Sequence, residues 1–286
     1  MTRRCGRGPC FPAERRITGR EVGVGPGVRW IRPLNLANPR HRRHQSDRQQ
    51  EGGDIRGLIF DKDGTLYDFN GTWGTWSAGL IDDLAQGDAE RRTTLAEVLG
   101  YDLAREAFLP GSIVIAHTSR EVADVVLPYV PPQPVDDLVT KLNALAASVT
   151  QVAVTDLRAL LSDIRARGVR TAVVTNDGEA PARAHLGRSG IETLFDFVAG
   201  YDSGYGSKPA PGPLLAAARA MELPPGDCAM IGDSTHDLIA GRAAGMTTVG
   251  VLTGPATEAD LRPHADVVLP SIAALPEWLD ATGSVA

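Results

Sequence analysis

The chain is poor in lysine. Among 286 residues only Lys62, Lys141 and Lys208 carry an ammonium side chain, and arginine supplies the rest of the positive charge. A lysine in this composition is less apt to be incidental surface decoration. Cysteine is equally scarce. Cys5 and Cys10 lie near the start and Cys228 in an apolar run, spacings that make neither a disulfide framework nor a zinc site. A reducing cytoplasm is the expected location. No run of about 18 apolar residues occurs, so no transmembrane helix is expected. The hydrophobic share of 43% is ordinary for a folded chain, and the length suits one large domain or two modest ones.

The net charge of −6 conceals an asymmetry. Residues 1–50 hold twelve arginines and three acids, Glu14, Glu21 and Asp47, whereas acids dominate the remainder. Residues 1–53 are rich in Arg, Gly and Pro without helical or strand periodicity, and they read as disordered. Three explanations compete for them: a basic tail for acidic partners, an organelle-targeting peptide, and a translated leader from a start codon assigned too far upstream. A single serine, Ser46, and no clear amphipathic helix weigh against the second. The leader is preferred. The glycine-rich GVGPG at 23–27 has no strand before it and no helix after it, so it is discounted as a nucleotide loop.

From residue 54 the pattern changes. TDLRALLSDIRARG (155–168) places Leu157, Leu160, Leu161 and Ile164 on one face and ends in Gly168, which predicts a helix. VRTAVVT (169–175) predicts a strand buried on both faces. Helices are expected around 179–188, 212–222 and 235–244, and strands at 197–199, 228–232 and 247–252, with an edge strand at 266–269. This βαβ repetition predicts an α/β fold with a doubly wound, Rossmann-like parallel sheet. Residues 68–150 are helix-compatible throughout, so they read as an all-helical insertion, with PYVPPQP (128–134) as a turn. The expected division is therefore a core of 54–67 and 151–286 around an insertion of 68–150.

Four polar clusters follow apolar strands, where an open parallel sheet binds its ligands. They are Asp61-Lys62-Asp63-Gly64-Thr65, Thr175-Asn176-Asp177, Lys208-Pro209, and Gly232-Asp233-Ser234-Thr235-His236-Asp237. Asp61, Asp63, Asp233 and Asp237 supply carboxylates, and Lys208 supplies a cation. That set suits phosphoryl transfer with Mg²⁺, a hard cation that takes oxygen ligands. An aspartate can attack phosphorus, and a metal and a lysine offset the repulsion between the two anions. A second carboxylate two residues on can protonate the leaving oxygen and then deprotonate water. Gly64 and Thr65 would form part of the phosphate cradle.

Each cluster alone has an ordinary explanation as a turn or a helix cap. An EF-hand calcium loop fails because Leu66 stands where that pattern needs glycine. All four clusters in this order are hard to obtain by coincidence. His236 reads as a first-turn helix residue beside the site rather than a metal ligand. Trp73, Trp76 and His117 could shape a substrate pocket or pack a core.

DKDGTL, VVTND, KPAPGP and GDSTHD resemble, in order, the four motifs of the haloacid dehalogenase superfamily, over roughly residues 55–281. GDSTHDLIAGRAAGMTTVGVLTG is similar to its phosphoglycolate-phosphatase-like branch, whose members carry a helical cap after the first motif. The resemblance implies Asp61 as nucleophile and Mg²⁺ ligand, and Asp63 as general acid–base with its backbone carbonyl on the metal. It implies Thr175 and the backbone N–H groups of Gly64 and Asn176 on the phosphoryl group, Lys208 on the phosphoryl oxygens, Asp233 on Mg²⁺, and Asp237 supporting the metal or Lys208. The expected partner is a small phosphorylated metabolite rather than a membrane or nucleic acid, and the expected assembly a monomer or homodimer. 2-Phosphoglycolate is one candidate substrate. However, Tyr67-Asp68-Phe69-Asn70 replaces the D-S of many relatives at the cap entrance, so that substrate is not carried over. A sugar-phosphate mutase stays open. So does a phosphonatase, which would need Lys141, and so does a non-catalytic phospho-ligand binder. A dehalogenase is disfavoured by Asp63 and by the Asp233/Asp237 pair.

Overall fold

The computed structural model describes residues 54–109 and 111–282. The expectations for residues 1–53 fall outside them. In chain order the elements are β1 (Gly57–Phe60), α1 (Phe69–Ala85), α2 (Ala89–Leu99), β2 (Tyr101–Asp102), β3 (Ala107–Phe108), α3 (Ser119–Val126), α4 (Val135–Ala147), α5 (Leu157–Ala166), β4 (Arg170–Val174), α6 (Glu179–Arg188), β5 (Phe197–Ala199), α7 (Gly212–Ala220), β6 (Cys228–Gly232), α8 (Thr235–Ala243), β7 (Thr247–Val251), α9 (Glu258–Leu261), β8 (Val267–Leu269) and α10 (Leu275–Ala281).

Six strands form one parallel sheet in the order β5-β4-β1-β6-β7-β8. The side chains of β1 show why it lies at the centre. Leu58 and Phe60 pack on one face with Leu161 and Ile164 of α5 and Leu186 of α6, while Ile59 packs on the other with Leu214 of α7 and Ala240 of α8. Successive residues of a strand point to opposite faces, so a strand covered on both must be apolar throughout. Asp156 caps α5 by accepting a hydrogen bond from the Ala159 N–H at 3.0 Å, and Gly168 follows that helix at φ +81°. The edge strand expected at 266–269 is β8.

The stretch between β1 and β4 corrects one expectation. It is helical except for β2 and β3, which pair antiparallel. Asp102 accepts from the N–H groups of Ala104 (2.9 Å) and Arg105 (3.1 Å), so its side chain makes the turn between them. Strands of two residues have no periodicity to read. α1 also starts well before its apolar LIDDLAQ segment, because Asp68 accepts from the Gly71 N–H at 2.5 Å and starts the helix at Phe69. The helices of this stretch bury an apolar cluster of their own, including Ile81, Leu95, Val126 and Leu138. No helix of the described residues is long and apolar enough to cross a membrane.

Candidate active site

The chain leaves β1 toward β4 on one side and returns to β6 on the other. The crevice at such a switch point is where open α/β sheets bind ligands. Asp61 ends β1, Thr175 ends β4 and Asp233 ends β6, while Lys208 enters from the loop after β5. The four polar clusters therefore converge on one place.

Lys208 organises it. Its Nζ lies 2.6 Å from Asp61 Oδ1, 2.6 Å from Asp237 Oδ1 and 2.9 Å from the Val174 carbonyl, so each ammonium hydrogen has an acceptor. Burial works against this charge, but Asp237 and Asp61 outweigh it and hold the ammonium above the ordinary lysine range. Asp61 is pushed up to about 7 by burial; Lys208 offsets part of this, and Asp237 adds to it. Asp233 is raised well above the usual carboxylate range by burial and by Asp237 and Asp61. Oxygen atoms of Asp61, Asp233 and Asp237 lie within 4.8 Å of one another. Three buried carboxylates against one ammonium leave negative charge uncompensated, and an all-oxygen donor set fits a hard divalent cation. The Asp63 carboxylate stands outside this cluster.

Two expected contributors have partners within the protein. At φ +80° the Gly64 backbone turns so that its N–H donates to the Tyr67 carbonyl at 2.7 Å, which takes that N–H away from a phosphate. A Cβ at Gly64 would overlap the Asp233 carboxylate, so the glycine is required by close approach. Thr65 is fully buried, with its hydroxyl 3.5 Å from Asp233 Oδ1. Neither residue lines the cavity described below. Both lie against Asp233. Thr175 does line the cavity; its Oγ1 accepts from the Asp177 N–H at 3.0 Å, leaving its own O–H to donate. The Asn176 carboxamide is committed. It donates to the carbonyls of Ala116 (2.8 Å) and Lys208 (2.9 Å) and accepts from the Lys208 N–H at 2.9 Å. It ties the segment before α3 to the lysine loop.

The sequence reading missed a second buried cation. Lys62 is fully buried. Its Nζ pairs with the Asp63 carboxylate, lies 3.3 Å from Asp177 Oδ2 and 3.1 Å from His185 Nδ1, and sits 5.5 Å from the centre of the Trp73 ring. Burial alone would discharge this lysine, but Asp63 and Asp177 reverse that and raise its pKa. Burial also raises Asp177, with Lys62 opposing. His185 is pushed down to about 4, by burial first and then by Lys62. The available signal was Lys62 itself, a scarce lysine set between two aspartates. His185, on α6, carried none. Among the described residues Asp63 Oδ1 is buried without a hydrogen-bond partner.

A cavity of about 110 Å³ runs from Asp61, Asp63 and Lys208 into the helical stretch. Trp73, Trp76 and His117 line it, and so does His236 in the first turn of α8. The rings of His117 and His236 meet edge to face at 5.4 Å. Lys141 is elsewhere, paired with Asp83 at 2.5 Å.

Comparison with known proteins places this arrangement. The family model for haloacid dehalogenase-like hydrolases matches residues 55–245. A phosphoglycolate phosphatase of Rhodospirillum rubrum is 32% identical over 232 residues, which is 78% of this chain and 90% of that protein. A HAD family hydrolase of Deinococcus radiodurans, solved with bound phosphate and sodium, is 27% identical with a TM-score of 0.55, covering 82% of this chain and 98% of that one. A β-phosphoglucomutase of Clostridium difficile shares the fold at a TM-score of 0.56 and 20% identity, covering 80% of this chain and 96% of that one.

Proposed function

The chain belongs to the haloacid dehalogenase-like hydrolases, and from that membership we propose that it is a Mg²⁺-dependent phosphatase acting on a small phosphomonoester through an aspartyl-phosphate. The observation that carries this reading is Lys208 holding Asp61 and Asp237 together at 2.6 Å each, with Asp233 beside them.

Asp61 and Asp233 would hold Mg²⁺, joined by Asp237 and by the Asp63 carbonyl expected from the resemblance. A cation bound there supplies charge neutralisation between nucleophile and phosphate. The chain's own residues account for the rest. A carboxylate oxygen of Asp61 bonds to phosphorus while the bond from phosphorus to the ester oxygen breaks. Asp63 gives that oxygen its proton, through the carboxyl oxygen that has no other partner. Lys208 faces the charge that develops beside Asp61, and the Thr175 hydroxyl donates to a phosphoryl oxygen. Water then attacks the phosphorus of the acyl phosphate, Asp63 takes the proton, and Asp61 is released with inorganic phosphate.

The core of 54–67 and 151–286 would supply this chemistry, and 68–150 would act as the cap that selects the ester. A phosphonatase is disfavoured because Lys141 lies in an ion pair away from the cavity. 2-Phosphoglycolate enters through the named activity of the Rhodospirillum rubrum relative. The test is phosphate release from a panel of phosphorylated metabolites, with Mg²⁺ and with EDTA. Metal-dependent release is expected; no release from any compound would sink the hydrolytic reading.

A further inference from the structure

Resting on that phosphatase reading, we propose that the natural substrate is the phosphate ester of a small, neutral, largely apolar alcohol, with a single ring or a short hydrocarbon chain seated in the helical stretch and no second anionic group.

The walls of the cavity carry the argument. Away from Asp61 they are formed by Phe69, Trp73, Leu80, Ile81, Tyr101 and Val122, all at least nine-tenths buried. Such a surface gains by taking up hydrocarbon and loses by stripping water from a charge. The stretch 68–150 contains five cationic residues, and each is turned outward into an ion pair. Arg91 pairs with Asp88, Arg92 with Asp82, Arg105 with Asp102, Arg120 with Asp124 and Asp136, and Lys141 with Asp83. None of the five lines the cavity. On the sheet side Lys208 is saturated by Asp61, Asp237 and Val174. Asp61, Asp63, Asp177 and Asp237 all border the same space. A carboxylate carried by the substrate would meet hydrocarbon, acid and the two imidazoles His117 and His236, with no arginine or lysine to pair with.

Besides Asp63 Oδ1 and Asp177 Oδ2 at the acidic end, the wall has two polar atoms without a hydrogen-bond partner among the described residues: the hydroxyl of Ser77, which is 4% exposed, and His117 Nδ1. They provide for a neutral hydroxyl or carbonyl on the alcohol, and they are too few for a sugar. Size sets the other limit. A cavity of about 110 Å³ is of the same order as the roughly 150 Å³ that takes up benzene, which favours a small alcohol.

The experiment measures phosphate release by the full chain with Mg²⁺ from n-alkyl phosphates (ethyl to hexyl), benzyl phosphate, 2-phosphoglycolate and glucose 6-phosphate. The expected result is a kcat/KM that climbs about three- to fourfold per added methylene until the cavity is full. Benzyl phosphate should exceed 2-phosphoglycolate by about tenfold or more. A flat alkyl series overturns the proposal, as does 2-phosphoglycolate or glucose 6-phosphate ahead of every apolar ester. Failure of the hydrolytic reading looks different: no ester releases phosphate. Calorimetry with benzylphosphonate and phosphonoacetate then decides. Tighter benzylphosphonate upholds the apolar site; tighter phosphonoacetate, or no binding of either, refutes it.

Discussion

The ammonium of Lys62 lies 3.1 Å from Nδ1 of His185, and both residues are fully buried. The other ring nitrogen, Nε2, is 2.9 Å from the Ala146 carbonyl, which can only accept. Nε2 therefore carries the hydrogen, and Nδ1 offers its lone pair to the lysine. This fixes a neutral imidazole and leaves Lys62 to hold Asp63 and Asp177. Asp63, the carboxylate proposed to transfer the proton, is thus positioned by a cation that is not Lys208.

Lys62→Met tests that positioning role. It leaves two largely buried carboxylates without their cation, and breaking a buried pair from one side costs about 3–5 kcal/mol. Urea denaturation should register a loss of that order. Asp177→Asn in the same chain should recover part of it, since one of the stranded charges is then gone. Turnover should fall more in kcat than in KM, because Asp63 loses its place rather than the substrate its pocket. Wild-type stability and kcat in Lys62→Met would remove Lys62 from the site.

Asp61→Asn should abolish phosphate release, by roughly 10⁴-fold or more, as loss of a nucleophile does elsewhere. The fold should persist. Burial already disfavours the charge of Asp61, and an amide of the same shape avoids that cost while Lys208 keeps Asp237. Circular dichroism and thermal melts should overlay wild type within a few degrees. Substantial residual release would take the nucleophile assignment away from Asp61.

Much of this was legible beforehand, for a physical reason. Strands buried on both faces are continuous apolar runs, so β1, β4, β6 and β7 declared themselves, and polar residues at their carboxyl ends had to be ligand-facing. The elements that escaped notice were short or held by side-chain caps: β2 and β3 with two residues each, α9, and α10. The site was legible as a set of residues but not as a division of labour. Gly64 and Thr65 read as a phosphate cradle, and their close approach to Asp233 was not legible. Asn176 read as a ligand contact through its backbone N–H, and the role of its carboxamide in joining two loops was not legible. Local sequence cannot show which neighbour from a distant element claims a hydrogen bond first.

Asn176 lends itself to a pair of substitutions. Alanine removes two donated bonds and one accepted bond. Aspartate keeps the shape but sets an acceptor against the carbonyls of Ala116 and Lys208. A buried group facing like polarity costs more than a missing one, so Asn176→Asp should be the more damaging by about 1–3 kcal/mol. Denaturation midpoints of the two variants give the order. Alanine as the worse change would mean that the carboxamide's donors matter less than its volume.

The three-carboxylate cluster predicts how metal and pH combine. Asp61 titrates near 7 in the folded chain against an ordinary 3.8. Between those values the folded protein holds a proton that the unfolded chain has released, so this group makes stability fall as pH rises through the window. Asp233, also raised, acts in the same direction. His185 acts oppositely: held near 4 against an ordinary 6.5, it makes stability rise over that interval. A melt in EDTA therefore mixes both signs. The difference between melts in Mg²⁺ and in EDTA separates them, because His185 contributes equally to each. Divalent-metal binding needs ionised carboxylates, so its stabilisation must grow as Asp61 and Asp233 lose their protons. The rise in Tm caused by Mg²⁺ should be small at about pH 5 and markedly larger at about pH 7.5. In Asp233→Asn the Mg²⁺-dependent rise should shrink at both. An equal effect of Mg²⁺ at the two pH values, unchanged by that substitution, would place the cation somewhere other than this cluster.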